Sequence, residues 1–287
     1  MKRVLSGKER AAWIHAENAR RSEQAVSEGY PKPSVAVVYS EDDDGIKAYI
    51  RGIRKNAEKS GFDVRLCELS RELSTDDVKK IMEELNNDDK IHAVLLEKPF
   101  PQNVDYEEIR QMLDPAKDAE GVTDANIAAL YGGKEAILPC TAEAVMEMLE
   151  AYEIPVSGKR AVVIGRSQTV GKPAAQLLLN KNATVTVAHS RTKNLPEITK
   201  EADILVVAMK RAKMIGKDYC RDGQVIIDVG TNYDENGKLC GDVNFEELQD
   251  LDAEVSVVPG GIGTLTTAIL FRSAMKCYRR KYGIRSE

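Results

Sequence analysis

Short apolar runs alternate with amphipathic stretches along most of this chain. The runs at 34–38 (SVAVV), 64–66, 93–96, 161–164, 183–188 (ATVTVA), 204–208, 225–229 and 255–258 are rich in β-branched and aliphatic residues. Runs this short, bounded by turns, predict strands buried on both faces. Between them the spacing turns helical. It does so over 7–28, closed by Tyr30-Pro31-Lys32-Pro33, and over a segment carrying Tyr49, Ile50, Ile53 and Ala57 that stops at Gly61. Further helices are predicted over 76–85, 106–113, 141–151 with Thr141 as N-cap, 174–179 and 264–282. Alternating strands and helices predict an α/β protein whose parallel sheets carry helices on their faces. Residues 114–139 have no strong period and predict a long functional loop with short turns. The acidic run from Ser40 to Gly45 predicts a solvated turn; a metal site would need further ligands.

The stretch 159–179, KRAVVIGRSQTVGKPAAQLLL, attaches chemistry to this pattern. A strand ends at Gly165, a small-residue turn follows, and a helix starts near Gly171 and Pro173. That arrangement presents backbone N–H groups and the positive end of a helix dipole to a phosphate. Gly165 lets the chain leave the strand sharply, and Gly171 permits a close approach of helix to sheet or diphosphate. The spacing departs from G-x-G-x-x-G, with Ser167 and Val170 at the second and third glycine positions. The next strand ends at His189-Ser190-Arg191-Thr192, where a dinucleotide fold meets the adenosine ribose. An acid there would favour a free 2′-hydroxyl. Ser190 and Arg191, with Arg166 in the first turn, suit a 2′-phosphate instead, because guanidinium forks match phosphate oxygens. The expected cofactor is therefore NADP.

The chain's 287 residues suffice for two modest domains. Its net charge of −5 argues against a general nucleic-acid binder. The five cysteines, Cys67, Cys140, Cys220, Cys240 and Cys277, form no C-x-x-C, and the three histidines are scattered. Neither a disulfide framework nor a metal site is expected, and a reducing cytoplasm fits best. No signal peptide or long apolar run addresses the chain to a membrane.

With these pieces in place, the chain resembles the methylenetetrahydrofolate dehydrogenase/cyclohydrolase family over nearly its whole length. The resemblance is carried by Tyr49, Pro99-x-Pro101, Lys117-Asp118-x-x-Gly121, Pro139-Cys140-Thr141 and Gly165-Arg166-Ser167-x-x-Val170-Gly171-x-Pro173. It continues through His189-Ser190-x-Thr192, Asp228-Val229-Gly230, Gly241-Asp242-Val243 and Pro259-Gly260-Gly261-x-Gly263. It implies two α/β domains around a cleft, with folate on the first and NADP on a Rossmann-like second. The expected boundaries are 1–141, completed by the C-terminal helix at 266–287, and 142–265. It also implies a homodimer formed through the nucleotide domains. Cofactor contacts are expected from Gly165, Arg166, Ser167, Gly171, Ser190, Arg191 and Thr231.

The chemistry implied by the resemblance has two steps. Hydride leaves the one-carbon bridge of 5,10-methylene-tetrahydrofolate, and water then opens the resulting methenyl ring. For the second step the family uses a lysine one helical turn after the tyrosine, with a glutamine bonded to it, while an aspartate grips the pterin. Here Ile53 stands at the lysine position, Glu97 at the glutamine, Glu120 at the aspartate, and Ile46 where a serine is usual. Isoleucine has no proton to move. Lys55 should face elsewhere on the helix, and Lys98 should point away from the face of Glu97. Tyr49, Glu97 and Glu120 are the expected catalytic residues. Glu97 is expected to stabilise a cationic product or to handle a proton in place of the missing pair. The chain is thus expected to be an NADP-dependent oxidoreductase of a folate-like substrate. Two rivals remain: a dehydrogenase of another iminium or amine donor, and a non-catalytic nucleotide-binding protein.

Overall fold

The computed structural model describes residues 3–40 and 44–284; the acids at 41–43 of the expected solvated turn lie outside the described residues. The chain opens with β1 (Arg3–Leu5) and α1 (Lys8–Ser27), followed by β2 (Ser34–Ser40), α2 (Asp44–Lys59), β3 (Asp63–Leu69), α3 (Thr75–Asn87) and β4 (Ala93–Leu96). Three helices follow, α4 (Tyr106–Met112), α5 (Asp124–Tyr131) and α6 (Cys140–Ala151). Then come β5 (Arg160–Ile164), α7 (Gly171–Asn180), β6 (Thr184–Ala188), α8 (Leu195–Lys200), β7 (Ile204–Val207) and β8 (Val225–Asp228). A small hairpin, β9 (Asn232–Tyr233) and β10 (Leu239–Cys240), precedes β11 (Glu254–Ser256) and α9 (Ile262–Tyr282).

The chain divides into two compact units: Met1–Ala11, Leu130–Lys134 and Pro139–Thr266 form one, and Ala12–Ala129, Glu135–Leu138 and Thr267–Glu287 the other. The first is built on a six-stranded sheet in the order β1-β11-β8-β7-β5-β6, the second on a three-stranded sheet in the order β3-β2-β4. Neighbouring strands in both sheets run parallel. The six-stranded core packs Ile164, Leu205, Val207, Ile226 and Val255, all fully buried. The three-stranded core packs Ala36, Val38, Val94 and Leu96 against Val78, Met82 and Leu85 of α3. These are the aliphatic runs of the sequence, covered on both faces as parallel strands must be.

The structure corrects the reading in four places. Residues at the start of the chain, expected in the folate-type domain, group with the six-stranded unit because β1 pairs with β11, Val4 opposite Val255. A three-residue strand is too short to show a period. The expected long loop contains α5, whose sequence DANIAALY is apolar over most of its length and so shows no amphipathic stripe. Thr141 is not an N-cap: α6 begins at Cys140, Pro139 holds the cap position without a side-chain bond, and its carbonyl accepts the Glu143 N–H at 2.9 Å. Finally α8 and the β9–β10 hairpin are absent from the sequence reading; both are short.

Two anchors matter for the site. Lys117, 8% exposed, points its ammonium at the Leu85 and Asp88 carbonyls, both at 2.9 Å, and so closes the C-terminus of α3. Within the three-stranded unit, Tyr278 of α9 donates its hydroxyl to the Pro31 carbonyl at 2.9 Å and packs edge-on against His92.

Candidate active site

In the six-stranded unit the ends of β5 and β6 lie side by side. Ile164 stands opposite Ala188, and the Gly165 N–H donates to the Ala188 carbonyl at 2.9 Å. The pairing ends there; Arg166 lies two residues beyond the end of β5, and Ser190 and Arg191 two and three beyond the end of β6. Arg166, Ser190 and Arg191 are all exposed. Gly165 adopts φ +128°, and a Cβ on Gly171 would collide with the Gly165 carbonyl, so both glycines are required by the turn. Ser167 holds that turn: its hydroxyl accepts the Val170 and Gly171 N–H groups, both at 3.2 Å, and its carbonyl accepts the Lys172 N–H at 3.1 Å. Pro173 has no N–H. The first N–H groups of α7 are therefore committed to Ser167 rather than open to an anion, a correction to the expectation. An anion here meets the helix dipole and the exposed arginines.

Thr231, also exposed, follows β8 and lines a hollow with Gly230, Pro259, Gly260 and Thr264. Two buried aspartates shape the floor beneath it. Asp228 accepts the N–H groups of Gly230 (2.9 Å), Asp242 (3.0 Å) and Val243 (3.0 Å). Asp242, fully buried, accepts those of Met209 (2.6 Å), Lys210 (3.2 Å) and Arg211 (2.6 Å) and the Asn232 amide (2.9 Å). The pair ties the loops after β7 and β8 to the hairpin. Burial raises the Asp228 carboxyl to about 6, although its three backbone donors oppose the rise. Both residues stand in the quoted motifs, yet their task as collectors of N–H groups had no signal in spacing.

In the three-stranded unit, Val38 pairs with Leu96 and the Glu97 N–H donates to the Val38 carbonyl at 2.9 Å. The other edge of β4 is filled by 117–119. Val94 donates to the Lys117 carbonyl at 2.7 Å and accepts the Ala119 N–H at 3.1 Å, with Asp118 opposite Val94 in parallel register. Glu120 follows this bridge, within reach of the Glu97 charge. Asp118, fully buried, fixes the turn by accepting the Glu120 N–H (3.2 Å), the Thr123 N–H (2.8 Å) and the Asn126 amide (2.9 Å).

Helix α2 buries Ile46, Ile50, Ile53 and Ala57 as one stripe, Ile53 at 1% exposure. Tyr49 stands beside the stripe, 38% exposed, and its side chain is hydrogen-bonded to the Glu97 carboxylate. No cation pairs with Glu97 among the described residues, and Lys55 is exposed, facing elsewhere as its helical position requires. The Lys98 ammonium lies 3.5 Å from the centroid of the Tyr106 ring.

Burial drives the acidity of this site. It pushes Glu97 up to about 7, and the Tyr49 bond only partly offsets it. Glu120 rises to about 8, first through burial, then through the charges of Glu97 and Asp118, while Lys98 pulls it down. The structure thus brings Tyr49, Glu97 and Glu120 together. It also gathers Gly165, Arg166, Ser167, Gly171, Ser190 and Arg191 at one pair of strand ends, with Thr231 at the end of β8. Sequence reasoning missed Tyr106 as a neighbour of the acids, and it set Lys98 aside as pointing away from the face of Glu97, whereas the Lys98 charge reaches Glu120.

A glycine turn on a parallel sheet, exposed arginines at the adjacent strand end, and a separate unit with a tyrosine-bonded carboxylate define a class: a two-domain α/β oxidoreductase that uses a dinucleotide. Residues 5–120 match the model of the tetrahydrofolate dehydrogenase/cyclohydrolase catalytic domain, and residues 139–282 that family's NAD(P)-binding domain. The chain is 41% identical over 280 residues to the bifunctional protein FolD of Listeria innocua, covering 98% of each. The crystal structure of the bifunctional enzyme FolD, methylenetetrahydrofolate dehydrogenase/cyclohydrolase, from Campylobacter jejuni superposes with a TM-score of 0.95 at 33% identity, covering 98% of this chain and all of that one. That of the Trypanosoma brucei dehydrogenase-cyclohydrolase, complexed with NADP cofactor and inhibitor, gives 0.91 at 29% identity, covering 97% of this chain and 98% of that one. The chain belongs to the tetrahydrofolate dehydrogenase/cyclohydrolase family.

Proposed function

We propose that this chain is an NADP-dependent 5,10-methylenetetrahydrofolate dehydrogenase without appreciable methenyl-ring hydrolysis. The observation that carries the second half is Ile53. It is buried at 1% exposure one turn from Tyr49, where the family resemblance places a lysine. Membership of the family favours a folate over another iminium donor, and an enzyme over a non-catalytic binder.

NADP, when bound, accepts the hydride from the one-carbon bridge. Its fit rests on this chain's own atoms. The bare Gly171 lets α7 start hard against the Gly165 carbonyl, and the α7 dipole favours the negative charge of a diphosphate at that end. Arg166, Ser190 and Arg191 would hold the 2′-phosphate, and Gly230 and Thr231 the hollow beyond. Hydride transfer requires positioning and a site that tolerates a developing cation. Tyr49 orients the Glu97 carboxylate, and Glu120 grips the pterin. Ring opening would also need a proton taken from water and one delivered to nitrogen, each step typically helped about 10²–10⁴-fold by a positioned group. Ile53 supplies none.

The test follows decay of methenyl-tetrahydrofolate at neutral pH alongside NADP reduction with methylene-tetrahydrofolate. Reduction without decay above the uncatalysed rate supports the proposal, and robust decay that survives Glu97→Gln refutes it. Ile53→Lys with Glu97→Gln should gain decay activity, whereas Ile53→Lys alone should not, because Glu97 would hold the new lysine as an ion pair.

The chain is further proposed to be a homodimer. The outer strand β6 leaves Val187 42% exposed with Leu179 53% exposed on the preceding helix, an edge suited to a second copy. Sedimentation as a monomer at micromolar concentration would refute this. Among the described residues no helix is long and apolar enough to cross a membrane, and the five free cysteines suit the reducing cytoplasm proposed here.

A further inference from the structure

In the six-stranded sheet, β6 lies on one side of β5 and β7 on the other. A doubly wound sheet takes its ligand at such a reversal, outside the carboxyl ends of the strands. The loop that leaves β7 there carries three bases, Lys210, Arg211 and Lys213. We propose that Lys210 and Arg211 hold the diphosphate of the dinucleotide, in place of the α7 N–H groups that Ser167 occupies. The inference rests on the NADP reading above and adds to it the residues that grip the part common to NADP and NAD.

Direct contacts place this loop on the nucleotide turn. The Ala208 N–H donates to the Ile164 carbonyl at 2.8 Å, and a Cβ on Gly165 would collide with the Ala208 carbonyl. Lys210 and Arg211 follow two and three residues on. The loop is held through its backbone, because buried Asp242 accepts the Met209, Lys210 and Arg211 N–H groups at 2.6, 3.2 and 2.6 Å. Lys210 is thereby kept at φ +57°, a left-handed conformation that a residue with a Cβ adopts only where its surroundings impose it. Both side chains remain exposed. Arg211 touches the Met214 sulfur at 3.7 Å, and among the described residues neither base pairs with a carboxylate, whereas Lys213 is paired with Asp234 at 3.8 Å.

The start of α7 supplies the complementary observation. Its first turn holds no acid and one base, Lys172, whose charge at the positive end of the dipole is disfavoured until an anion joins it. Ser167 takes the Val170, Gly171 and Lys172 N–H groups, so that anion cannot be held by them. Two cations free of carboxylates, on the β7 side of β5, match the two phosphates of a dinucleotide. Ser190 and Arg191 follow β6, on the other side of β5. Lys210 and Arg211 should therefore be blind to the 2′-phosphate.

The experiment titrates NADPH by its fluorescence and displaces it with NADP, with ADP (a diphosphate and no 2′-phosphate) and with adenosine 2′-monophosphate (the converse). Wild type, Lys210→Gln, Arg211→Gln, the double variant and Lys213→Gln are compared, each checked by thermal unfolding. Lys210→Gln and Arg211→Gln should each weaken NADP and ADP by the same factor, about tenfold or more, and leave adenosine 2′-monophosphate unchanged. Lys213→Gln should change none of them. Lys210→Gly separates charge from loop shape: glycine is at ease at a positive φ, so this variant should unfold at a higher temperature than wild type and still bind NADP as weakly as Lys210→Gln. A loss confined to NADP, with ADP unaffected, overturns the proposal in favour of a 2′-phosphate contact. An equal loss for adenosine 2′-monophosphate, or on Lys213→Gln, overturns it in favour of a general field of charge. NADP affinity unmoved in the double variant overturns this inference and leaves the NADP reading intact. A wild type that binds neither NADP nor NADPH overturns the two together.

Discussion

Replacing Glu97 with glutamine should make the protein more stable in mildly alkaline solution than in acid, relative to wild type. The carboxyl rises from 4.5 to about 7 in the folded chain, chiefly by burial. A raised carboxyl stabilises the folded state only while it is protonated. Its contribution is fully present below about 4.5 and is lost as pH rises through about 7. At roughly 1.36 kcal/mol per pKa unit, the penalty for ionising Glu97 grows by about 2.5 kcal/mol between pH 5 and pH 8. Glutamine has the same shape and can still bond Tyr49, but it carries no penalty. The variant should therefore exceed wild type by under about 1 kcal/mol near pH 5, a lead that widens by about 2.5 kcal/mol towards pH 8. For a chain of this size that corresponds to roughly 5–10 °C in the affected transition. Thermal unfolding of the ligand-free protein, followed by intrinsic fluorescence at half-unit pH steps, measures it. Parallel pH profiles for the two proteins would refute the reasoning and show that Glu97 is well solvated.

Arg166→Ala should weaken NADP by about 1.5–3 kcal/mol and leave NAD nearly unchanged, measured by titration with both coenzymes; equal wild-type affinities would sink the assignment. Asp242→Ala leaves the Met209, Lys210 and Arg211 N–H groups without their buried acceptor and should destabilise by 3 kcal/mol or so, read by urea unfolding. Lys117→Met removes the closure of α3 and should cost about 1–3 kcal/mol in the same assay, with the loss larger than for exposed Lys55→Met.

The sheet strands were legible because burial on both faces demands aliphatic runs; 93–96 coincides with β4. Helices with an amphipathic face were legible for the complementary reason, whereas α5 was hidden by its uniformly apolar sequence. Tyr49 and Glu97 were placed together through family resemblance, since nothing in their spacing encodes the parallel register that joins them. The Asp118 turn that carries Glu120 is tied to β4 by a bridge between Val94 and Asp118, a contact across more than twenty residues that local pattern does not carry. Ser167 shows the opposite case. Its position was read correctly as part of the turn, but its occupation of the α7 N–H groups follows only from the turn's three-dimensional path.

The interleaving of the two units along the chain constrains synthesis. Phe271 packs against Phe62, Tyr278 against His92, and the Cys277 thiol meets the Asp118 carbonyl, all inside the three-stranded unit. That unit's sheet is complete by residue 96, yet its core waits for α9, which ends at Tyr282. The usual order, in which the N-terminal domain folds while the rest is still being translated, is closed to this protein. On the ribosome, the half that emerges first is the half that must wait, its apolar surface in need of shelter until the final helix arrives.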